Sequence, residues 1–366
     1  MKKNKKPEWA PENSGSEYAS SVMPAVYSTE KPKKQIHKRR QLTVDDYTNG
    51  VLESNTVVLS KAITLIESNN IKHIELTQEV LKRILPYSGN SIRIGITGPP
   101  GAGKSTFIEA LGLYLCRNGF KVAVLAVDPS SIVSGGSILG DKTRMEFLSR
   151  ENNAFIRPSP SGGTLGGVAR KTRESIIACE AAGYDVILIE TIGVGQSEIT
   201  VRSMVDLFLL LLLPGSGDEL QGIKKGVVEM SDLIVINKAE GNNKDRANIT
   251  RVSYNSAIKL LTSATEGWKP KALTCSALHN EGIENVWSNV NEFMELTKNS
   301  GIFKKRRNEQ LLNWVKSMVE EEVYRRFFEN DEIKKLKQKL DLSVLSGETT
   351  PTQAVRSLIN KYFGDK

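Results

Sequence analysis

Two periods alternate along this chain. Short, almost unbroken apolar runs occur at Ile92–Thr97, Val122–Val127, Val186–Thr191, Leu207–Leu213, Leu233–Asn237 and Ala272–Cys275. A strand that is apolar on both of its alternating faces must be covered on both sides, which is the condition of a parallel sheet between helix layers. Stretches with apolar residues at helical spacing separate most of these runs, for example Ser105–Arg117, Val168–Ala182 and Leu220–Met230. Strand followed by helix, repeated, predicts an α/β fold with a doubly wound, mainly parallel sheet. Ahead of the sheet, Leu59, Ala62, Ile63 and Ile66, then Leu76, Val80 and Ile84, mark two or three amphipathic helices between Val44 and Leu85. Beyond Ile302 the chain is charged and helical over Asn308–Phe328, Glu332–Leu340 and Thr352–Tyr362, with no further strand expected. The expected organisation is a basic extension without fixed structure at 1–43, N-terminal helices at 44–90, the sheet domain at 91–300 and a C-terminal helical region at 301–366.

Composition narrows the class. A length of 366 residues suits one large α/β domain with appendages. The longest apolar run, Leu207–Leu213, is far shorter than the roughly 20 residues that span a bilayer, so no membrane partner is expected. Cys116, Cys179 and Cys275 lie far apart without a C-x-x-C, which argues against a disulfide framework and fits a reducing compartment. The net charge of +8 is misleading until it is located: residues 1–40 hold ten Lys/Arg against four Glu, and the rest of the chain is almost neutral. No nucleic-acid partner is therefore expected. The basic cluster Lys304–Arg307 is read as capping or solvating a helix. Residues 1–35 lack the apolar centre of a signal peptide, and Glu8, Glu12, Glu17 and Glu30 are unlike a mitochondrial presequence. A cytoplasmic location is expected.

The strongest chemical signal is Gly98-Pro99-Pro100-Gly101-Ala102-Gly103-Lys104-Ser105-Thr106, directly after one apolar run and directly before a helical pattern. It satisfies G-x-x-x-x-G-K-[ST] in the context that motif requires. Glycines let successive backbone N–H groups converge on phosphate oxygens, Lys104 brings a point charge to the β- and γ-phosphates, and the Ser105 hydroxyl suits a Mg²⁺ ligand. Asp128 and Glu190 stand at carboxyl ends of expected strands, where ligands bind in open parallel sheets. They are candidate Mg²⁺ acids, Glu190 opening a stretch, Glu190-Thr-Ile-Gly193, that resembles D-x-x-G with Glu for Asp. Asn237-Lys238-Ala239-Glu240 resembles the guanine-reading N-K-x-D, again with Glu in the acid position, and Ser276-Ala277-Leu278 resembles the loop that supports the base. An acidic acceptor suits the ring N–H and amine of guanine and opposes adenine's pattern, so GTP and GDP are the expected ligands. Two glycine-hinged loops, Ser134–Met145 and Pro214–Lys225, are candidates for elements ordered by a γ-phosphate. In them Asp141 is a further metal candidate, and Asp218, Gln221 and Lys224 are candidates for organising a water or the transition-state charge.

Taken together these segments resemble the methylmalonyl-CoA mutase-associated GTPases, the MeaB family, over about Val44 to the C-terminus. The narrow signatures are Gly135–Met145 (GGSILGDKTRM) and Gly217–Gly226 (GDELQGIKKG), supported by Val127–Ser131, Arg157–Gly167 and Glu190–Glu198. The resemblance implies a homodimeric GTPase whose C-terminal helices, 301–366, help form the dimer. It implies a partner, an adenosylcobalamin-dependent acyl-CoA mutase, whose cofactor delivery is gated and whose activity is protected or restored. It also places Ser105, Asp128, Asp141 and Glu190 in the metal site, and Asp218, Gln221 and Lys224 in a segment that answers the partner. The runner-up reading is a P-loop small-molecule kinase or transport-linked ATPase, which would need an acceptor pocket and a general base that the sequence does not show. A nickel-insertion GTPase would need a metal-relay cluster, and His37, His73 and His279 are scattered.

Overall fold

A computed structural model describes residues 42–127, 145–158, 165–191, 197–215 and 225–364. Three helices, α1 (Val44–Leu52), α2 (Thr56–Glu67) and α3 (Ile71–Ile84), lead into the sheet. Each starts at a polar side chain that satisfies otherwise orphaned N–H groups. Thr43 forms a reciprocal capping box with Asp46, Asn55 accepts from the Val57 and Val58 amides, and Asn70 accepts from Lys72.

The sheet follows as β1 (Ile92–Thr97), α4 (Lys104–Arg117), β2 (Val122–Val127), β3 (Ala154–Arg157), α5 (Leu165–Ala181), β4 (Val186–Thr191), α6 (Ser197–Arg202), β5 (Leu207–Leu212), α7 (Lys225–Met230), β6 (Leu233–Ile236), α8 (Lys244–Ile258), β7 (Lys271–Thr274) and α9 (Ile283–Asn299). Its seven strands are all parallel, in the order β3-β2-β4-β1-β5-β6-β7. The doubly wound α/β expectation holds. Strand β3 was not anticipated: it is a four-residue edge strand whose apolar run is only Ala154–Ile156, with Phe155 alone buried.

The period-2 geometry of the strands divides the interior into two cores. On β5, Leu207, Leu209 and Leu211 pack with Phe107, Leu111 and Leu115 of α4 and with Val290 and Phe293 of α9. Phe208, Leu210 and Leu212 point to the other face, with Ile63, Ile84 and Ile176 from α2, α3 and α5. All six β5 residues are buried. The N-terminal helices thus complete one of the two layers that the central strands require.

The C-terminal helices are α10 (Ile302–Glu329), α11 (Asp331–Leu345) and α12 (Pro351–Phe363). Lys304 and Lys305 are exposed, as the solvated reading of this cluster expects, but Arg306 and Arg307 turn inward. Arg307 grips buried Asp206 with two hydrogen bonds of 2.8 and 2.7 Å and donates to the Ser91 carbonyl at 2.7 Å. Arg93 makes the matching two-point contact with Glu180, at 2.8 Å each. Burial alone would raise the Glu180 pKa, yet the hydrogen bonds and charge of Arg93 carry it below the usual carboxylate value. The Arg307 contacts fasten α10 beside the starts of β1 and β5, and the Arg93–Glu180 pair ties β1 to α5. Removing one partner of such a pair leaves an uncompensated charge and costs about 3–5 kcal/mol. Arg307→Met should lower unfolding stability by that order, read as a reduced urea midpoint. A loss under about 1 kcal/mol would show that apolar contact alone holds the helix.

Candidate functional site

The site is assembled where the carboxyl ends of β1, β4, β5 and β6 meet. Strand β1 lies mid-sheet between β4 and β5, so the loop that follows it opens onto a crevice flanked by neighbouring strand ends. The loop approaches its neighbour too closely for any side chain at Gly98: a Cβ there would sit 2.2 Å from the Leu211 carbonyl oxygen of β5. At the other end Gly103, at φ +84°, turns the chain into α4, and a Cβ would lie 2.8 Å from Asn237 Nδ2. A left-handed backbone and a close approach both require glycine here. The N-terminus of α4 therefore points its free amides at the place a phosphate would occupy.

Lys104, the first residue of α4, donates from Nζ to the Gly98 carbonyl at 2.9 Å and to that of Pro99 at 3.4 Å. Burial lowers its pKa, and the charges of Glu190 and Glu198 oppose that shift. Next to it, Ser105 Oγ donates to Glu190 Oε1 at 3.2 Å. Behind this pair, Thr191 Oγ1 donates to Thr97 Oγ1 at 2.9 Å, tying the ends of β4 and β1 together.

Asn237, at the end of β6, is the hub. Its Nδ2 donates to the Ala102 carbonyl of the phosphate loop at 2.9 Å. Its Oδ1 accepts from the Ala277 amide at 3.0 Å and from Cys275 Sγ at 3.4 Å. Burial, reinforced by the charge of Glu240, pushes the Cys275 thiol up to about 12, so the sulfur keeps the proton that it donates. Three segments far apart in sequence are thus joined by one carboxamide. Lys238 adopts a left-handed φ of 59°, and the Ala239 amide then donates to the Cys275 carbonyl at 3.0 Å. Glu240 Oε2 is buried without a hydrogen-bond partner. Ser276 and Ala277 are buried, while Leu278 is exposed.

Of the residues singled out from the sequence, the structure joins Ser105 to Glu190 and links Ala102 of the phosphate loop through Asn237 to Ala277, with Lys238–Glu240 and Ser276 adjoining and Leu278 exposed. Asp128, Asp141, Asp218, Gln221 and Lys224 lie outside the described residues. Sequence reasoning missed the Thr97–Thr191 tie and Glu198, which is buried in the first turn of α6 and acts electrostatically on Lys104. Neither had a readable signal, because a threonine at a strand end and an acid in a first helical turn are common.

Residues 59–332 match the family described as Methylmalonyl Co-A mutase-associated GTPase MeaB. The chain belongs to the MeaB family. It is 46% identical over 318 residues to GTPase ArgK of Escherichia coli, covering 87% of this chain and 96% of that protein. It is 45% identical over 334 residues to the mouse protein named Methylmalonic aciduria type A homolog, mitochondrial, covering 88% and 80% of the two chains. Among solved structures it is similar to one titled LAO/AO transport system kinase, with a TM-score of 0.72 and 39% identity over 88% of this chain and 98% of that one. As a MeaB-family GTPase it binds guanine nucleotide through a P-loop fold. No helix among the described residues is long and apolar enough to cross a membrane.

In this GTPase the Asn237 hub generates a test. Asn237→Ala removes both anchors between the phosphate loop and the base loops, each hydrogen bond contributing about 0.5–1.5 kcal/mol. GDP affinity measured by calorimetry should fall at least about tenfold, or about 1.4 kcal/mol. Unchanged affinity would mean that the loops hold their places without it.

Proposed function

We propose that this GTPase is a nucleotide-driven chaperone for an adenosylcobalamin-dependent acyl-CoA mutase, methylmalonyl-CoA mutase foremost, gating cofactor delivery and protecting or restoring the enzyme. The observation that carries this reading is the family match across residues 59–332, whose description names that mutase. The name of the mouse relative supports it. Similarity over 88% of this chain to a structure titled a transport system kinase is the one observation favouring the runner-up, a small-molecule kinase.

In this proposal the phosphate loop and Lys104 cradle the β- and γ-phosphates. Ser105 Oγ in the first turn of α4 and Glu190 Oε1 at the end of β4, an oxygen pair in hydrogen-bond contact, match the hard-oxygen donor set of Mg²⁺, with Asp128 and Asp141 as further ligands. When bound, Mg²⁺ neutralises charge between the phosphate oxygens. Asn237 positions the base loop, and Glu240, whose buried Oε2 has no hydrogen-bond partner, accepts from guanine. Asp218, Gln221 and Lys224 complete the hydrolytic arrangement when the partner docks, in a protein we place in the cytoplasm. A charge supplied only in the docked state is typically worth a factor of about 10³–10⁵ in phosphoryl transfer. GTP hydrolysis should therefore be slow alone and accelerated by the correct mutase. Lys224→Ala should lose most of that acceleration while binding GTP almost normally, because the missing contact is made mainly in the transition state. Full stimulation of the variant would remove Lys224 from the mechanism, and no stimulation of the wild type by any candidate mutase would remove the chaperone reading.

The proposed homodimer rests on α10–α12. The apolar residues of α10 divide between two faces. Trp314, Met318 and Phe328 are half-buried and Phe327 is buried, whereas Val315, Val319 and Val323 form an exposed line four residues apart. Such a line is the pattern of an unpartnered helix contact. Val319→Glu should shift the full chain from dimer to monomer in sedimentation at micromolar concentration. A wild-type protein already monomeric there would overturn the dimer.

A further inference from the structure

Away from the nucleotide crevice, α10 does not close fully onto the body. Between α5, α6 and α10 lies a cleft of about 800 Å³, lined by Arg170, Arg173, Ser203, Trp314, Met318 and Phe328 among others. A second cavity of about 400 Å³ adjoins it and shares Arg173 and Trp314 as its wall. These volumes are in the range of small-molecule sites, which combine apolar walls with a few converging polar groups.

Two arginines, Arg170 and Arg173, enter the cleft; the charge of Arg170 acts on buried Glu174, whereas Arg173 has no carboxylate partner among the described residues. Arg173 stacks 5.6 Å from the Trp314 ring centroid. Its hydrogen bonds go to neutral acceptors, the Ser203 carbonyl at 2.8 Å, Ser203 Oγ at 2.7 Å and the Gln310 carbonyl at 3.5 Å. Among the described residues no carboxylate pairs with it, in contrast to Arg93 and Arg307 close by. Burial, and then the charge of Arg93, pulls the Arg173 pKa down to about 10, the mark of a buried cation without compensation. Arg170 Nε and Trp314 Nε1 are also buried with no acceptor. Orphaned donors of this kind are rare in native interiors. Two acids reach the lining, but Glu321 is exposed and Glu329 is bonded to Arg325 at 3.0 Å.

We propose that this cleft binds a small organic anion, its acidic group received by Arg170 and Arg173 and its apolar body laid against Trp314, Met318 and Phe328. The charge complementarity selects an anion over a neutral apolar ligand. The exposed Val315, Val319 and Val323 line does not contribute to the walls of the cleft. Ile199, Thr200 and Ser203 line the opposite side, so a bound anion would touch α6 and the residue following it, directly downstream of the strand that ends in Glu190 and Thr191.

The test uses the full chain and the fluorescent probe 8-anilinonaphthalene-1-sulfonate, with neutral N-phenyl-1-naphthylamine as its uncharged counterpart. The sulfonate should bind saturably at one site per chain, with energy transfer from tryptophan that falls in Trp314→Phe. The neutral probe should bind at least tenfold more weakly. Arg173→Met and Arg170→Met should each weaken the sulfonate at least tenfold, with GDP affinity within twofold of wild type as proof of an intact fold. Equal binding of the two probes, or unchanged sulfonate affinity in both arginine variants, would overturn the proposal. So would a dimeric wild type that excludes the sulfonate while monomeric Val319→Glu binds it, because the cleft would then be covered by a second copy of the chain.

Discussion

A nucleotide site built from loops works only if the loops keep register with one another, and in this GTPase that register depends on the buried side chain of Asn237. Its amide nitrogen holds the Ala102 carbonyl while its oxygen takes the Ala277 amide. A carboxamide is suited to this task because it donates and accepts at the two ends of one rigid plane. The contact is possible because β6 ends beside β5, whose neighbour β1 launches the phosphate loop. Gly98 and Gly103 let that loop approach without a Cβ in the way. The phosphate end and the base end of the crevice are consequently one mechanical unit.

The same economy appears on the far side of the sheet. Arg307 and Arg93 engage Asp206 and Glu180 as paired forks, and Asp206 also accepts from the Arg93 amide at 2.8 Å. Charges this deeply buried persist because every oxygen has a directed donor. The result fixes the first turns of α10 against β1 and β5, while its later turns stand over the cleft at Arg173 or face outward. The phosphate loop and the first turns of α10 therefore rest on opposite ends of the same two strands, β1 and β5.

Much of this was legible before the structure. Six apolar runs became six of seven strands, and the phosphate loop stood out because its glycines, lysine and serine are contiguous. The seventh strand, Ala154–Arg157, was hidden because its apolar run is only the three residues Ala154–Ile156, between polar Asn153 and Arg157. Lys304–Arg307 was read as solvated. Half of it is, but Arg307 reaches the Asp206 carboxylate and the Ser91 carbonyl, and Arg306 the Asp206 carbonyl, all a hundred or more positions away.

Local rules thus determined which segments are strands, which are helices and where a triphosphate loop begins, since period and contiguous motif reflect only backbone sterics and the spacing of apolar groups. Tertiary structure alone decided the strand order, and with it the meeting of Ala102, Asn237 and Ala277, the approach of Ser105 to Glu190, and the division of α10 into gripping, lining and exposed faces. Those contacts join residues separated by 40 to 135 positions. A hydrogen bond is worth about a kilocalorie only once both partners have been placed, and it is the sheet that places them.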